Sequence, residues 1–285
     1  MNIVYLNNQF IPSNEAKISP MDRGFLFGEG IYEVIPSYEG KFIGLQVHLN
    51  RLYNGLESLG ISSPLSNEKW IELCQELIAR NEGENLAVYL HVTRGDSPTR
   101  NHAYPTNTTP TVFAFTFDIP AQPVPEKQNA TVYNVSSQQD LRWKRCQIKS
   151  TSLLGNVMHF QHSINEGNKE TILFNDQNQL TEASASNVFI VKNNTIMTPP
   201  LDNQILPGVT RHIVLALLKE HSKFTIEERA ISYDEVLNAD EVWLTSSTKE
   251  IAPVIKIDDN IIASGKVGDV WLEAQTLFSQ YKYQY

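Results

Sequence analysis

At 285 residues, with 41% hydrophobic and 19% charged side chains, the chain can bury one large core or two moderate ones. Its formal net charge of −9 sets its surface against a phosphate backbone, so nucleic acid is not an expected partner. A locally basic pocket for an anionic small molecule remains compatible with that charge.

The amino terminus, Met1 to Phe10, alternates apolar and polar residues and carries no signal-peptide pattern, and no apolar stretch is long enough to span a bilayer. A cytoplasmic protein without membrane contact is therefore expected, and the Asn107-Thr108-Thr109 sequon reads as a plain loop. Two short runs flank Asn7-Asn8, a hairpin signal. Leu45, Leu49, Leu52, Tyr53, Leu56 and Leu59 recur at helical spacing, with Gly60 as the stop. Ser66 caps a second helix whose inner face is Trp70, Ile71, Cys74, Leu77 and Ile78. Strands are predicted over 86–93 and 111–117, which completes a small α+β domain over residues 1–117.

Residues 118–127 contain Pro120, Pro123 and Pro125 without apolar periodicity and form the predicted linker. The larger domain, 128–285, is strand-rich, with strands near 130–135, 171–174, 187–191, 195–198, 225–231 and 241–246. Helices are expected near 153–166, 209–219 and 270–281. Two domains with a ligand cleft between them is the resulting picture.

Four features carry possible chemistry. Gly208-Val209-Thr210-Arg211 opens a helix after Pro207, and the amides of Val209 and Thr210 with the Thr210 hydroxyl suit a phosphate. An ordinary helix start has the same look. Thr245-Ser246-Ser247-Thr248 ends an apolar strand and could close around phosphate oxygens, or be a hydroxyl-rich turn. Lys149 stands between Ile148 and Ser150, and a lysine with apolar neighbours can lose solvation and offer a neutral, nucleophilic amine. Most lysines are solvated surface charges. Glu182, among small residues ahead of an apolar strand, could meet a pyridine nitrogen, or be a solvated turn residue. His159 and His162 sit at i, i+3 with no further ligand placed to complete a metal set, so no metal is expected and both read as surface or cleft residues. Cys74 and Cys146 lie far apart and outside any CxxC pattern, against both a disulfide framework and a zinc site.

In this order the features resemble the fold-type IV pyridoxal-phosphate (PLP) enzymes, which comprise branched-chain aminotransferases, D-amino-acid transaminases, aminodeoxychorismate lyases and R-selective amine transaminases. The likeness spans nearly the whole chain. It begins at Asp22-Arg23-Gly24-Phe25 and Phe27-Gly28-Glu29-Gly30-Ile31-Tyr32-Glu33, and continues through His48-Leu49-Asn50-Arg51-Leu52, Lys149, Glu182 and Gly208-Val209-Thr210-Arg211.

The resemblance implies a small α+β domain, a larger strand-rich pseudo-barrel domain and PLP held in the cleft. It implies that Lys149 holds the cofactor covalently and that Glu182 pairs with its pyridine nitrogen. Arg51, the amides of Val209 and Thr210, the Thr210 hydroxyl, Ser247 and Thr248 would hold its phosphate, while Leu206 packs on one ring face. Tyr32, Arg94-Gly95 and Arg100-Asn101-His102 resemble the D-amino-acid transaminases. There Tyr32, Arg100 and His102 would trap the substrate carboxylate, the last two coming from the other subunit of a homodimer. Leu154 stands where branched-chain enzymes usually carry a tyrosine. The implied reaction is ping-pong transamination between a D-amino acid, such as D-alanine or D-glutamate, and a 2-oxo acid. A branched-chain L-aminotransferase, an aminodeoxychorismate-type lyase and an inactive PLP-binding protein are the alternatives.

Overall fold

A computed structural model describes residues 2–285, so Met1, the first residue of the expected small domain, lies outside it. The chain divides into two compact units. Among the described residues the first contains 2–121 and the short segment 148–153; the second contains 122–147 and 154–284. The boundary between Ala121 and Gln122 falls inside the proline-rich stretch, which after the strand end at Asp118 has no strand and leads into a short 3-10 turn, Lys127–Asn129.

The first unit opens with β1 (Ile3–Leu6) and β2 (Gln9–Pro12), joined through Asn7 and Asn8 at φ of 44° and 72°. Asparagine tolerates this left-handed turn, whose twist suits a hairpin. Next come α1 (Arg23–Phe27), β3 (Gly30–Tyr38), β4 (Lys41–Phe42), α2 (Leu45–Ser58) and α3 (Asn67–Arg80). The unit closes with β5 (Asn85–Thr93) and β6 (Thr111–Asp118). All pairings are antiparallel, in the order β2-β1-β6-β5-β3-β4. Gly60 stops α2 at φ 62°, and the Ser66 hydroxyl caps α3 by accepting from the Lys69 amide. Leu49, Leu52 and Leu56 of α2 and Trp70, Leu73, Cys74 and Leu77 of α3 pack on Ile31, Ile35, Val88 and Leu90. Ile71 and Ile78 stand only at the edge of this core.

The second unit holds β7 (Tyr133–Gln139), α4 (Leu154–Asn165), β8 (Thr171–Phe174), β9 (Leu180–Ala183), β10 (Asn187–Lys192) and β11 (Thr195–Thr198). It continues with α5 (Val209–His221), β12 (Thr225–Glu228), α6 (Tyr233–Leu237), β13 (Glu241–Ser246), β14 (Glu250–Ile257), β15 (Asn260–Ile261) and α7 (Asp269–Tyr281). One nine-stranded sheet runs β12-β11-β10-β13-β14-β7-β8-β9, with β15 beside β14. β9 lies at one end of that path, yet only Ser184–Ser186 separate it from β10, the third strand from the other end. So short a link forces the sheet to curl, and the curl makes the pseudo-barrel. Its core includes Val135, Ile172, Val188, Ile190, Leu244 and Val254.

Two differences from the sequence reading have clear causes. The strand expected at 130–135 is β7, further along, because the polar run Ser136–Gln139 ladders with Thr171–Phe174, a pairing that apolar periodicity cannot reveal. The segment 148–153, expected in the larger domain, belongs to the first unit. There Ile148 joins the core, Ser150 bridges Ile31, and the Tyr32 amide donates to the Lys149 carbonyl at 3.1 Å.

Candidate active site

In the first unit the half-buried Lys149 is pinned beside β3 by these backbone contacts. Its Nζ lies 4.0 Å from the centroid of the Tyr32 ring, and among the described residues no carboxylate pairs with it. The sequence-predicted amine and Tyr32 are thus brought together.

Behind them, Glu33 of β3 is fully buried and faces α2. Arg51 grips it with a fork, Nε to Oε1 and Nη2 to Oε2, both at 2.7 Å, while His48 Nδ1 lies 2.6 Å from Oε2. Burial alone would raise the Glu33 carboxyl, but the attraction of Arg51 and the hydrogen bonds of Arg51 and His48 outweigh it and hold it at about 2. Burial pushes His48 down. Arg51 is therefore an oriented guanidinium, with two of its five donors on Glu33.

Arg94 does a structural task. It pairs with Glu29 at 2.6 Å, donates to the carbonyls of Gly60 and Leu59, and so anchors the end of β5. Arg23, also paired with Glu29, donates to the carbonyls of Asn101 and His102. The side chains of Arg100 and His102 are exposed and both lie on the Phe27 ring, at 5.1 and 5.4 Å.

In the second unit Glu182 is not a turn residue: it lies on β9, only 4% exposed. Oε1 accepts from Arg142 Nη1 at 2.5 Å, and Oε2 accepts from the Leu206 amide at 3.0 Å and from Asn187 Nδ2 at 3.1 Å. Arg142 also holds Asp140, at 2.9 Å through Nε and 2.7 Å through Nη2. Burial pushes the Glu182 carboxyl up, and Arg142 opposes it. An ionised carboxylate offers about four acceptor positions, so one more N–H donor, such as a pyridinium, can still be accommodated. Arg142 and Asp140 escape the sequence reading. Asn187 ends the small-residue run after Glu182, and Glu33 and His48 lie within the matched motifs, but the sequence assigns none of the three a role.

The start of α5 departs from expectation in one respect. Gly208 has an unremarkable φ of −64°, and a Cβ there would collide with Asn187 Oδ1. The glycine therefore makes room for the amide that holds Glu182. No side chain caps the helix, which leaves its first amides for an outside acceptor. Val209 and Thr210 are buried, whereas Leu206, Ser247 and Thr248 are half-exposed. Thr245 is the register partner of Asn187, and its buried hydroxyl has no partner. An uncapped helix start, an orphaned hydroxyl and a buried carboxylate with acceptor capacity fit PLP. Leu154 is exposed. His159 is buried rather than superficial: Nδ1 meets Gln138 Oε1 at 2.8 Å and Nε2 accepts from the Leu141 amide.

A carboxyl held below its unfolded-state value stabilises the fold above that value, and ceases to as pH falls toward the folded one. From 4.5 to about 2, the free energy of unfolding should therefore drop more steeply in the wild type than in Glu33→Gln. Urea titrations across this range check it, and parallel curves would refute it.

The family model for class IV amino-transferases matches residues 30–257. A D-alanine aminotransferase of Bacillus licheniformis is 40% identical over 273 residues, 96% of this chain and 94% of the relative. A D-alanine aminotransferase of Staphylococcus haemolyticus is 35% identical, covering 99% and 98% of the two chains. Among solved structures, the branched-chain aminotransferase of Thermoproteus uzoniensis with norvaline superimposes with a TM-score of 0.87 at 21% identity, covering 99% of this chain and 95% of the other. The branched-chain amino acid aminotransferase of Escherichia coli gives 0.86 at 21% identity, covering 98% and 93%. These two likenesses concern the fold. By its family match and its near-full-length relatives, this chain belongs to the class IV aminotransferases.

Proposed function

We propose that the chain is a PLP-dependent transaminase that moves an amino group between a D-amino acid, such as D-alanine or D-glutamate, and a 2-oxo acid, such as 2-oxoglutarate or pyruvate. The observation that carries this reading is Lys149, an amine set against Tyr32 with no acid among the described residues to neutralise it. The relatives that match over nearly their whole length are D-alanine aminotransferases, which supports the choice of hand.

When bound, PLP supplies an electron-withdrawing ring that takes up the charge developing at the substrate's α-carbon. Lys149 would hold the cofactor covalently, and once free its Nζ would serve as the base that takes the substrate's α-carbon proton and the acid that gives it back. Glu182 keeps the pyridine nitrogen protonated, and Arg142 and the Leu206 amide keep Glu182 in place. The amides of Val209 and Thr210, the Thr210 hydroxyl, Ser247 and Thr248 hold the phosphate. Arg51 would join them through a guanidinium whose orientation Glu33 sets, and Leu206 would pack against the ring.

Tyr32 and the pair Arg100 and His102 grip the substrate carboxylate, the pair reaching the site of a second copy of the chain. Their exposure on Phe27 supports this, since both side chains are presented outward. The apolar side chains of Leu154, Val157, Met158 and Ile164, exposed along α4, favour a homodimer for the same reason.

The PLP-loaded chain is expected to lose its aldehyde-form absorbance on addition of D-alanine or D-glutamate and to respond far less to L-alanine or L-leucine. The converse preference would establish a branched-chain-type reading, and pyruvate release without an amino acceptor a lyase. Arg100→Ala should lower kcat/KM for D-alanine roughly 10- to 100-fold, the worth of a charge-assisted hydrogen bond, with cofactor absorbance intact. Dilution below the dimer dissociation constant should abolish turnover; full activity in a demonstrated monomer would contradict the shared site.

A further inference from the structure

The turn Ser247–Lys249 joins β13 to β14, with Ser246 and Glu250 as the last register partners. Glu250 has a φ of 54°. Short hairpin loops ordinarily give such a left-handed position to glycine or asparagine. Here the residue is a glutamate only 1% exposed, so turn geometry alone does not account for its side chain.

Its contacts do. Oε1 accepts from Lys282 Nζ at 2.5 Å and Oε2 from Gln275 Nε2 at 2.8 Å. Lys282 is equally buried and opens the 3-10 turn that follows α7, with its Nζ near the rings of Phe278 and Tyr283. Gln275 lies on α7 itself. The residue just before Glu250 is tied on the other side: Lys249 Nζ stands 3.1 Å from both Glu170 Oε2 and Ser186 Oγ, and Glu170 is fully buried. A buried ion pair adds little net stability but is costly to break from one side, which makes it a fixed strut.

We propose that the Lys282–Glu250 pair clamps the Ser247–Thr248 turn in the shape that receives the cofactor phosphate, so that the carboxy-terminal turn of the chain sets cofactor affinity. Lys282 and Glu250 are positioning residues, acting through Ser247 and Thr248. This rests on the assignment of those two hydroxyls to the phosphate.

The test titrates the full chain, freed of cofactor, with PLP and separately with pyridoxal, which has the same ring and aldehyde without the phosphate. The wild type should prefer PLP by about 100-fold, as several charge-assisted contacts imply. Lys282→Met should weaken PLP about tenfold and leave pyridoxal unchanged, whereas Lys282→Arg keeps the charge and should stay close to wild type. Glu250→Gly, which suits the backbone, should mimic Lys282→Met and keeps the test decisive if that variant fails to fold. Undiminished PLP affinity in Glu250→Gly, or equal weakening of PLP and pyridoxal in the folded variants, would overturn the clamp. A wild type indifferent between PLP and pyridoxal would instead remove the phosphate assignment beneath it.

Discussion

A carboxylate taken out of water must be met by cations and amide protons, or it takes up a proton and loses its charge. The chemistry proposed for this chain depends on that constraint being satisfied at Glu182. Arg142, the Leu206 amide and Asn187 meet it on β9, and Asn187 fits only because position 208 lacks a Cβ. One set of contacts therefore links the proposed pyridine partner, the segment that would cover the ring and the helix start that would hold a phosphate. Glu33 repeats the solution in the first unit, where Arg51 and His48 surround it. Lys149 is the contrast, since no carboxylate pairs with it among the described residues. An amine left unpaired in a chain whose buried acids are well paired is the electrostatic arrangement a covalent amine catalyst requires.

Much of the fold is legible in the sequence because local rules and tertiary packing agree. The Asn7-Asn8 turn, the Gly60 stop, the Ser66 cap and the strands 171–174, 195–198 and 241–246 each follow from residue type and spacing. β3 does not read as a strand because Gly30–Tyr38 is buried on both faces, and its alternation is blurred by the inward-facing Glu33. β7 reads too early because its Ser136–Gln139 half is polar and held by backbone pairing. The segment 148–153 reads as part of the wrong half of the chain because its attachments, the packing of Ile148 and the backbone contacts to β3, are to residues more than a hundred positions away or scattered through the first unit's core.

The candidate site is legible where a single residue carries the chemistry, and not where a residue acts through another. Lys149, Glu182, Thr210 and Arg51 all stand out by residue type and motif. Arg142 does not: its contacts with Glu182 and Gln204 span 40 and 62 positions, and nothing in Asp140-Leu141-Arg142 announces them. The same holds for Lys282, 32 positions from the glutamate it meets. Supporting contacts belong to the tertiary structure, and no local pattern encodes them.

The most direct test of the account is to load the chain with PLP, reduce it with borohydride and map the labelled peptide. A single phosphopyridoxyl group on Lys149, absent from Lys149→Ala, is the predicted result. A label on a different lysine, or a chain that binds PLP without any reducible bond, would contradict the claim that Lys149 is the amine on which the chemistry turns.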